Sequence, residues 1–298
     1  MERRRLGQTD MEVSVLGFGG AEIGYTRVAL ATVGRLLASA LDAGLNAIDT
    51  AECYAGSEAL IGRAVGRRRA EYYLFTKCGH AAEDGRADWR PRSLVESIER
   101  SLRRLRTDYV DLIQLHSCSE RELRKGDVIE ALERARERGH ARYIGYSGDG
   151  AAARYAVECG RFDTLQTSIS IADQAALDQT LPLARRRGLG VIAKRPIANV
   201  AWTYAREPRE RYYQAYWRRL RALDYDFLRD GADAAVGIAL RFTLGIPGVD
   251  TAIVGTTKPD RWRGNAALQA AGPLPPARVA KIRARWREVA RPSWVGQV

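Results

Sequence analysis

Apolar residues follow two alternating rhythms along this chain. Compact runs at 15–18, 46–49, 73–77, 109–115, 141–146, 164–168, 190–193 and 251–254 are short and rich in Val, Ile, Leu, Phe and Tyr, which reads as eight β-strands. Between them apolar residues recur every three or four positions, as in Leu94, Ile98, Leu102 and Leu105, or Val128, Ala131, Leu132 and Ala135, which predicts amphipathic helices. Gly44, Gly139, Gly160 and Gly188 stand where helices of this kind end. Ahead of the first strand, 3–6 and 11–13 flank Gly7-Gln8-Thr9-Asp10 and read as a β-hairpin able to plug a barrel bottom. Strand-helix alternation predicts a parallel sheet, and right-handed crossovers allow either a closed barrel or an open doubly wound sheet. Eight units favour the barrel, with one domain over 1–298.

Three of the strand-like runs lead to side chains with distinctive chemistry. The second carries Asp49 and leads on to Tyr54, the third ends on Lys77, and the fourth ends on His116. In a parallel barrel these residues gather at one mouth. A free phenol loses its proton only near pH ~10. A buried ammonium at Lys77 is expected to lower the pKa of Tyr54, with Asp49 holding the lysine charged and in position. His116 is expected to hydrogen-bond the oxygen that Tyr54 protonates. The set reads as a device for moving a proton onto a carbonyl oxygen, with no metal.

The strings Ile48-Asp49-Thr50-Ala51-Glu52-Cys53-Tyr54, followed by Gly56-Ser57-Glu58, then Phe75-Thr76-Lys77 and Leu112-Ile113-Gln114-Leu115-His116, resemble the aldo-keto reductase family, and the similarity runs from about Arg5 to Leu268. The resemblance implies a (β/α)8 TIM barrel with the N-terminal hairpin and a helical insertion after the seventh strand. It also implies a nicotinamide cofactor bound in extended form without a Rossmann domain, and metal-independent hydride transfer to an aldehyde or ketone. The family's catalytic roles fall on Asp49, Tyr54, Lys77 and His116.

Cofactor contacts follow from the same resemblance. Ser147 and Gln166 are expected at the nicotinamide carboxamide, which needs both a donor and an acceptor. Gly148 stands where the family usually has Asn, so that one amide contact is missing or supplied by Asp149. Lys194-Arg195-Pro196-Ile197 replaces a segment in which the family often has an aromatic, which leaves Lys194 or Arg195 for the cofactor's pyrophosphate or the substrate, with Ile197 beside them. Gly20 and Ala21 belong to the cofactor set, together with Asp49. The strongest signal is Gly255-Thr256-Thr257-Lys258-Pro259-Asp260-Arg261 with Asn265, a strand end running into a helix start beside two cations. It suits a 2′-phosphate, hence NADPH (NADP+) over NADH, with Thr256, Lys258 and Arg261 on the phosphate and Asn265 near adenine.

The remaining features narrow the picture. The net charge of +12 comes almost wholly from arginine, since Lys77, Lys125, Lys194, Lys258 and Lys281 are the only lysines among 48 basic residues. No nucleic-acid module accompanies it, and nucleic acid is not an expected partner. No apolar run is long enough to span a membrane and no signal region opens the chain, so a cytoplasmic protein is expected. The four cysteines lack a C-x-x-C spacing and are expected to be reduced thiols. An aromatic-rich stretch, 202–230, should emerge at the catalytic end, with Trp202 nearest the site and most of the other rings on a helix packed outside the barrel. Ala21, Glu22, Ile23, His80 and Trp89 are candidate pocket walls. A reductase of small carbonyl compounds is the leading reading, and an NADPH-binding redox-sensing or regulatory subunit is the alternative.

Overall fold

The computed structural model describes residues 1–80 and 86–297. Two short strands, β1 (Arg3–Arg5) and β2 (Glu12–Ser14), pair antiparallel as the expected hairpin. Eight parallel strands follow: β3 (Leu16–Gly19), β4 (Ala47–Asp49), β5 (Tyr73–Cys78), β6 (Val110–His116), β7 (Ala141–Ser147), β8 (Thr164–Ser168), β9 (Gly190–Lys194) and β10 (Thr251–Val254). They close in the order β10-β3-β4-β5-β6-β7-β8-β9, with helices on the outside. The closed ring excludes the open sheet.

The period of two along each strand sorts the barrel interior into layers. Ala47, Phe75, Leu112, Ile192 and Ile253 face inward near the bottom and form one apolar cluster with Leu6, Met11 and Val13 of the hairpin region. Leu6 sits so close beneath β9 that a Cβ on Gly190 would meet its Cγ at 2.6 Å. Burying a large apolar side chain in such a plug contributes about 1.5–3 kcal/mol. Two residues further along the same strands the inward positions turn polar: Asp49 above Ala47, Lys77 above Phe75, Gln114 above Leu112 and Lys194 above Ile192. Apolar floor and polar mouth thus arise from one alternation. Gly145 on β7 is required by this packing, because a Cβ there would meet Thr164 Oγ1 at 2.3 Å and Gln114 Cγ at 3.1 Å.

Outside the barrel, apolar helix faces cover the strands. The helix Pro91–Leu105 buries Leu94, Ile98, Leu102 and Leu105, the four positions whose spacing predicted it. The C-terminal helix runs Pro276–Val289, and the aromatic insertion contains the helix Arg211–Leu223. No helix among the described residues is long and apolar enough to cross a membrane.

Candidate active site

Asp49, Lys77 and His116 lie at the C-terminal ends of β4, β5 and β6, and Tyr54 sits in the turn after β4. That turn is closed by Tyr54 N–H donating to Ala51 O (3.1 Å) and Ser57 N–H donating to Tyr54 O (2.9 Å). From outside it is held by Glu52, which accepts from Ser97 and from Arg100 (2.8 Å), and by Glu58, which accepts from Thr76 Oγ1 (2.7 Å). From the opposite side Gly24 packs against it so tightly that a Cβ would come within 2.0 Å of Tyr54 O. A cross-braced turn, buried at Glu52 and Ser57 and exposed at Ala55 and Gly56, therefore presents the Tyr54 ring.

Beneath that ring lies a buried ion pair. Lys77 Nζ donates to Asp49 Oδ2 (2.6 Å) and to Thr50 O (2.8 Å), and both side chains are 1% exposed. The ammonium stands 5.1 Å from the centre of the Tyr54 ring. The His116 ring meets the Tyr54 ring edge-on, with centroids 5.7 Å apart. The four residues singled out from sequence are brought together.

Their electrostatics correct one expectation. Burial first, and then the Asp49 carboxylate, push the Tyr54 phenol well above its usual value. The Lys77 ammonium stands 5.1 Å from the ring centre, and burial with the Asp49 carboxylate outweighs it. Tyr54 is therefore a firmly protonated phenol at neutral pH. Burial, joined by Lys77, His80, Lys194 and Arg195, holds His116 well below the ordinary histidine pKa, so its imidazole is neutral.

The nicotinamide candidates divide. Ser147 Oγ is buried with no hydrogen-bond partner among the described residues, a free donor and acceptor at the mouth. Gln166 is engaged inside the barrel: its Oε1 accepts from Gln114 Nε2 (2.8 Å), and its Nε2 faces Asp49 Oδ2 at 3.5 Å. Asp149 does not stand in for the missing amide. Its carboxylate pairs with Lys194 (2.9 Å) and accepts from Thr167 Oγ1 (2.7 Å) and Ser168 N–H (2.7 Å). Burial opposes that charge, but Lys194 and these bonds outweigh it and hold the Asp149 pKa below the usual carboxylate range.

Arg195 is likewise not a solvated charge. It donates to Ser168 Oγ (3.3 Å) and to the Gln297 carbonyl, and its guanidinium lies 5.6 Å from the Tyr212 ring centre. The segment after β9 is strained, with Arg195, Ala198, Asn199 and Val200 all at positive φ. A β-branched Val200 at φ 48 is uncommon, and such residues cost on the order of 1–3 kcal/mol each. Ile197 is half-buried beside them and packs against the core.

At the β10 end, Gly255, Thr256 and Thr257 lead into the helix Pro259–Ala270, whose N-cap residue Lys258 makes no side-chain cap; Lys258 N–H donates to Thr256 Oγ1 (3.1 Å) and shapes the turn before the helix. Thr256 and Asn265 are buried, and Lys258 is exposed. Arg261 pairs with Asp233 at 3.1 Å on the surface. Gly20 N–H donates to Asp49 O (2.7 Å), which ties the β3 end, and Ala21 after it, to the site. The free Ser147 hydroxyl, the uncapped helix start and the exposed lysine fit a nicotinamide dinucleotide.

Among the proposed walls, His80 and Trp89 meet edge-on at 5.5 Å, and His80 meets His116 at 5.4 Å. Ile23 is instead fully buried in the core, and Glu22 lies beside Gly255 on the β10 side. Trp202 is half-buried in the short helix Ala198–Thr203, with its indole N–H lacking a partner among the described residues. The insertion helix is not purely external. Tyr216 is fully buried and donates to Asp173 Oδ2 (3.0 Å), while Tyr212 is 53% exposed beneath Arg195. The segment after the last helix returns to this mouth, where Val295 O accepts from Arg219 (2.6 Å) and Gly296 packs on Asp149.

Sequence reasoning missed Gln114, Tyr25 and the contact of Cys53 with His116. Gln114 lies two residues before His116, so strand alternation alone puts it in the barrel. Tyr25 packs on Tyr54 with centroids 6.0 Å apart, a long-range contact that no local pattern signals.

Comparison with known proteins agrees with this arrangement. Residues 15–287 match the model of the aldo/keto reductase family. An aldo-keto reductase from Bacillus halodurans, in its holo form, superposes with a TM-score of 0.82 at 28% identity, covering 96% of both chains. An uncharacterized oxidoreductase of Bacillus subtilis is 28% identical over 91% of each chain, and the L-galactose dehydrogenase of Arabidopsis thaliana is 31% identical over 66% of each. Strand order, mouth residues and family match together establish that this chain belongs to the aldo/keto reductase family of oxidoreductases.

Proposed function

We propose that the chain is a one-domain, cytoplasmic, NADPH-dependent reductase that converts a small aldehyde or ketone to an alcohol, with Tyr54 as the proton donor. The observation that carries this reading is the buried Lys77–Asp49 pair under the Tyr54 ring, with neutral His116 alongside. When bound, the reduced nicotinamide supplies the hydride. Ser147 and Gln166 would hold its carboxamide, with Asp49, Gly20 and Ala21 beneath. Lys194, Arg195 and Ile197 would lie along the middle of the cofactor, and Gly255, Thr256, Thr257, Lys258, Arg261 and Asn265 at its adenosine end.

His116 donates a hydrogen bond to the carbonyl oxygen and orients it. Tyr54 then gives its proton to the alkoxide. An alkoxide is far more basic than a phenolate, so the transfer runs downhill even from a phenol whose pKa is raised. Lys77, held under the ring by Asp49, sets a positive charge near the oxygen on which negative charge builds. This chemistry calls for no metal.

Cofactor choice rests on the exposed lysine and the helix start after β10. An Escherichia coli relative, 29% identical, is named an NADH-specific methylglyoxal reductase, so 2′-phosphate recognition has to be tested in this chain itself. Binding of NADPH and NADH, followed by absorbance assays with aldehydes, ketones and keto-sugars, is that test. NADPH consumption that stops on Tyr54→Phe while binding persists supports the proposal. Tight binding with no consumption by any carbonyl supports a redox-sensing role instead, and a preference for NADH overturns the cofactor assignment.

A further inference from the structure

Cys53 precedes Tyr54 in the turn after β4, and its sulfur lies 3.4 Å from Nδ1 of His116. Its backbone is pinned as well, since the Tyr25 hydroxyl donates to Cys53 O at 3.2 Å. The thiol is thus held against the inner nitrogen of the ring, on the side away from Nε2. A neutral imidazole carries one N–H and one acceptor nitrogen, and the partner of one nitrogen decides the state of the other.

We infer that Cys53 is a positioning residue: its S–H donates to His116 Nδ1, which fixes the proton on Nε2, the nitrogen that faces the substrate oxygen. The inference rests on the reductase reading for its consequence in turnover, but not for its geometry. Burial pushes the Cys53 thiol up to about 11, so the sulfur keeps its proton and acts as a donor. Lys77, His80, Lys194 and Arg195 all oppose a charge on His116, and Tyr54 flanks it with a neutral phenol, so the ring is held in a neutral form in which the tautomer matters. In the opposite tautomer Nε2 would be an acceptor, repelled by a carbonyl oxygen and unable to stabilise an alkoxide.

The test reads the tautomer directly. The chain has 3 histidines, so two-bond 15N–1H correlation spectra of 15N-histidine-labelled protein are sparse, and His116→Gln assigns the signal. The wild type should show His116 with its proton on Nε2, and Cys53→Ala or Cys53→Val should shift it to a mixture or to Nδ1–H. Cys53→Ser, which keeps a donor, should restore the wild-type pattern. Loss of a weak S–H donor should lower kcat about fivefold in Cys53→Ala, with NADPH affinity unchanged and most of the turnover regained in Cys53→Ser. A proton on Nδ1 in the wild type, or a tautomer indifferent to residue 53, overturns the inference. A residue-53-dependent Nε2–H signal in a protein inert to every carbonyl supports the contact and overturns the reductase reading instead.

Discussion

Replacing Lys77 by Met isolates the ion pair on which the site is built. The ammonium makes a 2.6 Å contact to Asp49 in a setting where each side chain is 1% exposed, and among the described residues the Gln114 and Gln166 amides, at 3.5 Å, are the further groups facing the carboxylate. Removing one partner of such a pair leaves a buried, uncompensated charge, which costs about 3–5 kcal/mol. The double variant Asp49→Asn/Lys77→Met removes both charges and should lose only about 1–2 kcal/mol, because a buried pair replaced by neutral groups is often close to neutral. Burial already pushes the Asp49 carboxyl up, and Lys77 opposes it. Without the ammonium the folded-state pKa of Asp49 rises further above its unfolded value near ~3.9. The deficit of Lys77→Met is therefore full above that raised pKa and shrinks as pH falls toward the unfolded value. Urea unfolding followed by tryptophan fluorescence at pH 8 and pH 5 measures both effects. A single variant within about 1 kcal/mol of wild type at pH 8, or a double variant worse than the single, would refute the buried-pair argument.

Further outcomes follow from particular contacts. Leu6→Ala empties part of the barrel plug and should cost about 2–5 kcal/mol in urea unfolding while kcat stays near wild type, because the hairpin lies at the end of the barrel away from Tyr54. Gly24→Ala forces a methyl toward Tyr54 O, which it would meet at 2.0 Å, and should cost about 1–3 kcal/mol together with a marked loss of turnover. Wild-type behaviour of that variant would mean the Tyr54 turn is not held as described. Lys258→Ala and Arg261→Ala should each weaken NADPH binding about tenfold in titration calorimetry and leave NADH binding nearly unchanged. Because His116 is held neutral in the folded protein, wild-type stability should fall by up to about 1.4 kcal/mol per pH unit as pH drops below ~6.5, and His116→Gln should remove that slope.

Most of the scaffold was legible because it rests on local periodicity. The eight strand runs predicted the barrel strands to within a residue or so at each end, and Leu94, Ile98, Leu102 and Leu105 lie on the buried face their spacing implies. Asp49, Lys77 and His116 were legible for the same reason, since parallel strands bring their C-terminal ends together. What the sequence could not display was the choice of partner. Lys194 and Asp149 are 45 positions apart, and only the closed sheet puts them 2.9 Å from each other. The acidity of Tyr54 was misjudged because burial and the nearby Asp49 carboxylate set its direction, and the depth of a side chain in the folded mouth is not a property of residue type. Tyr216 looked like its neighbours on the insertion helix, yet it reaches Asp173 in the loop after β8 and is buried by that contact.

The proposed chemistry meets its most direct test in single-turnover oxidation of bound NADPH by the best small carbonyl, compared between wild type and Tyr54→Phe with cofactor affinity measured on the same samples. NADPH should bind both proteins equally, and hydride transfer should fall by about 10²- to 10⁴-fold in the variant, the range a positioned proton donor supplies. Equal rates in the two proteins would contradict that chemistry.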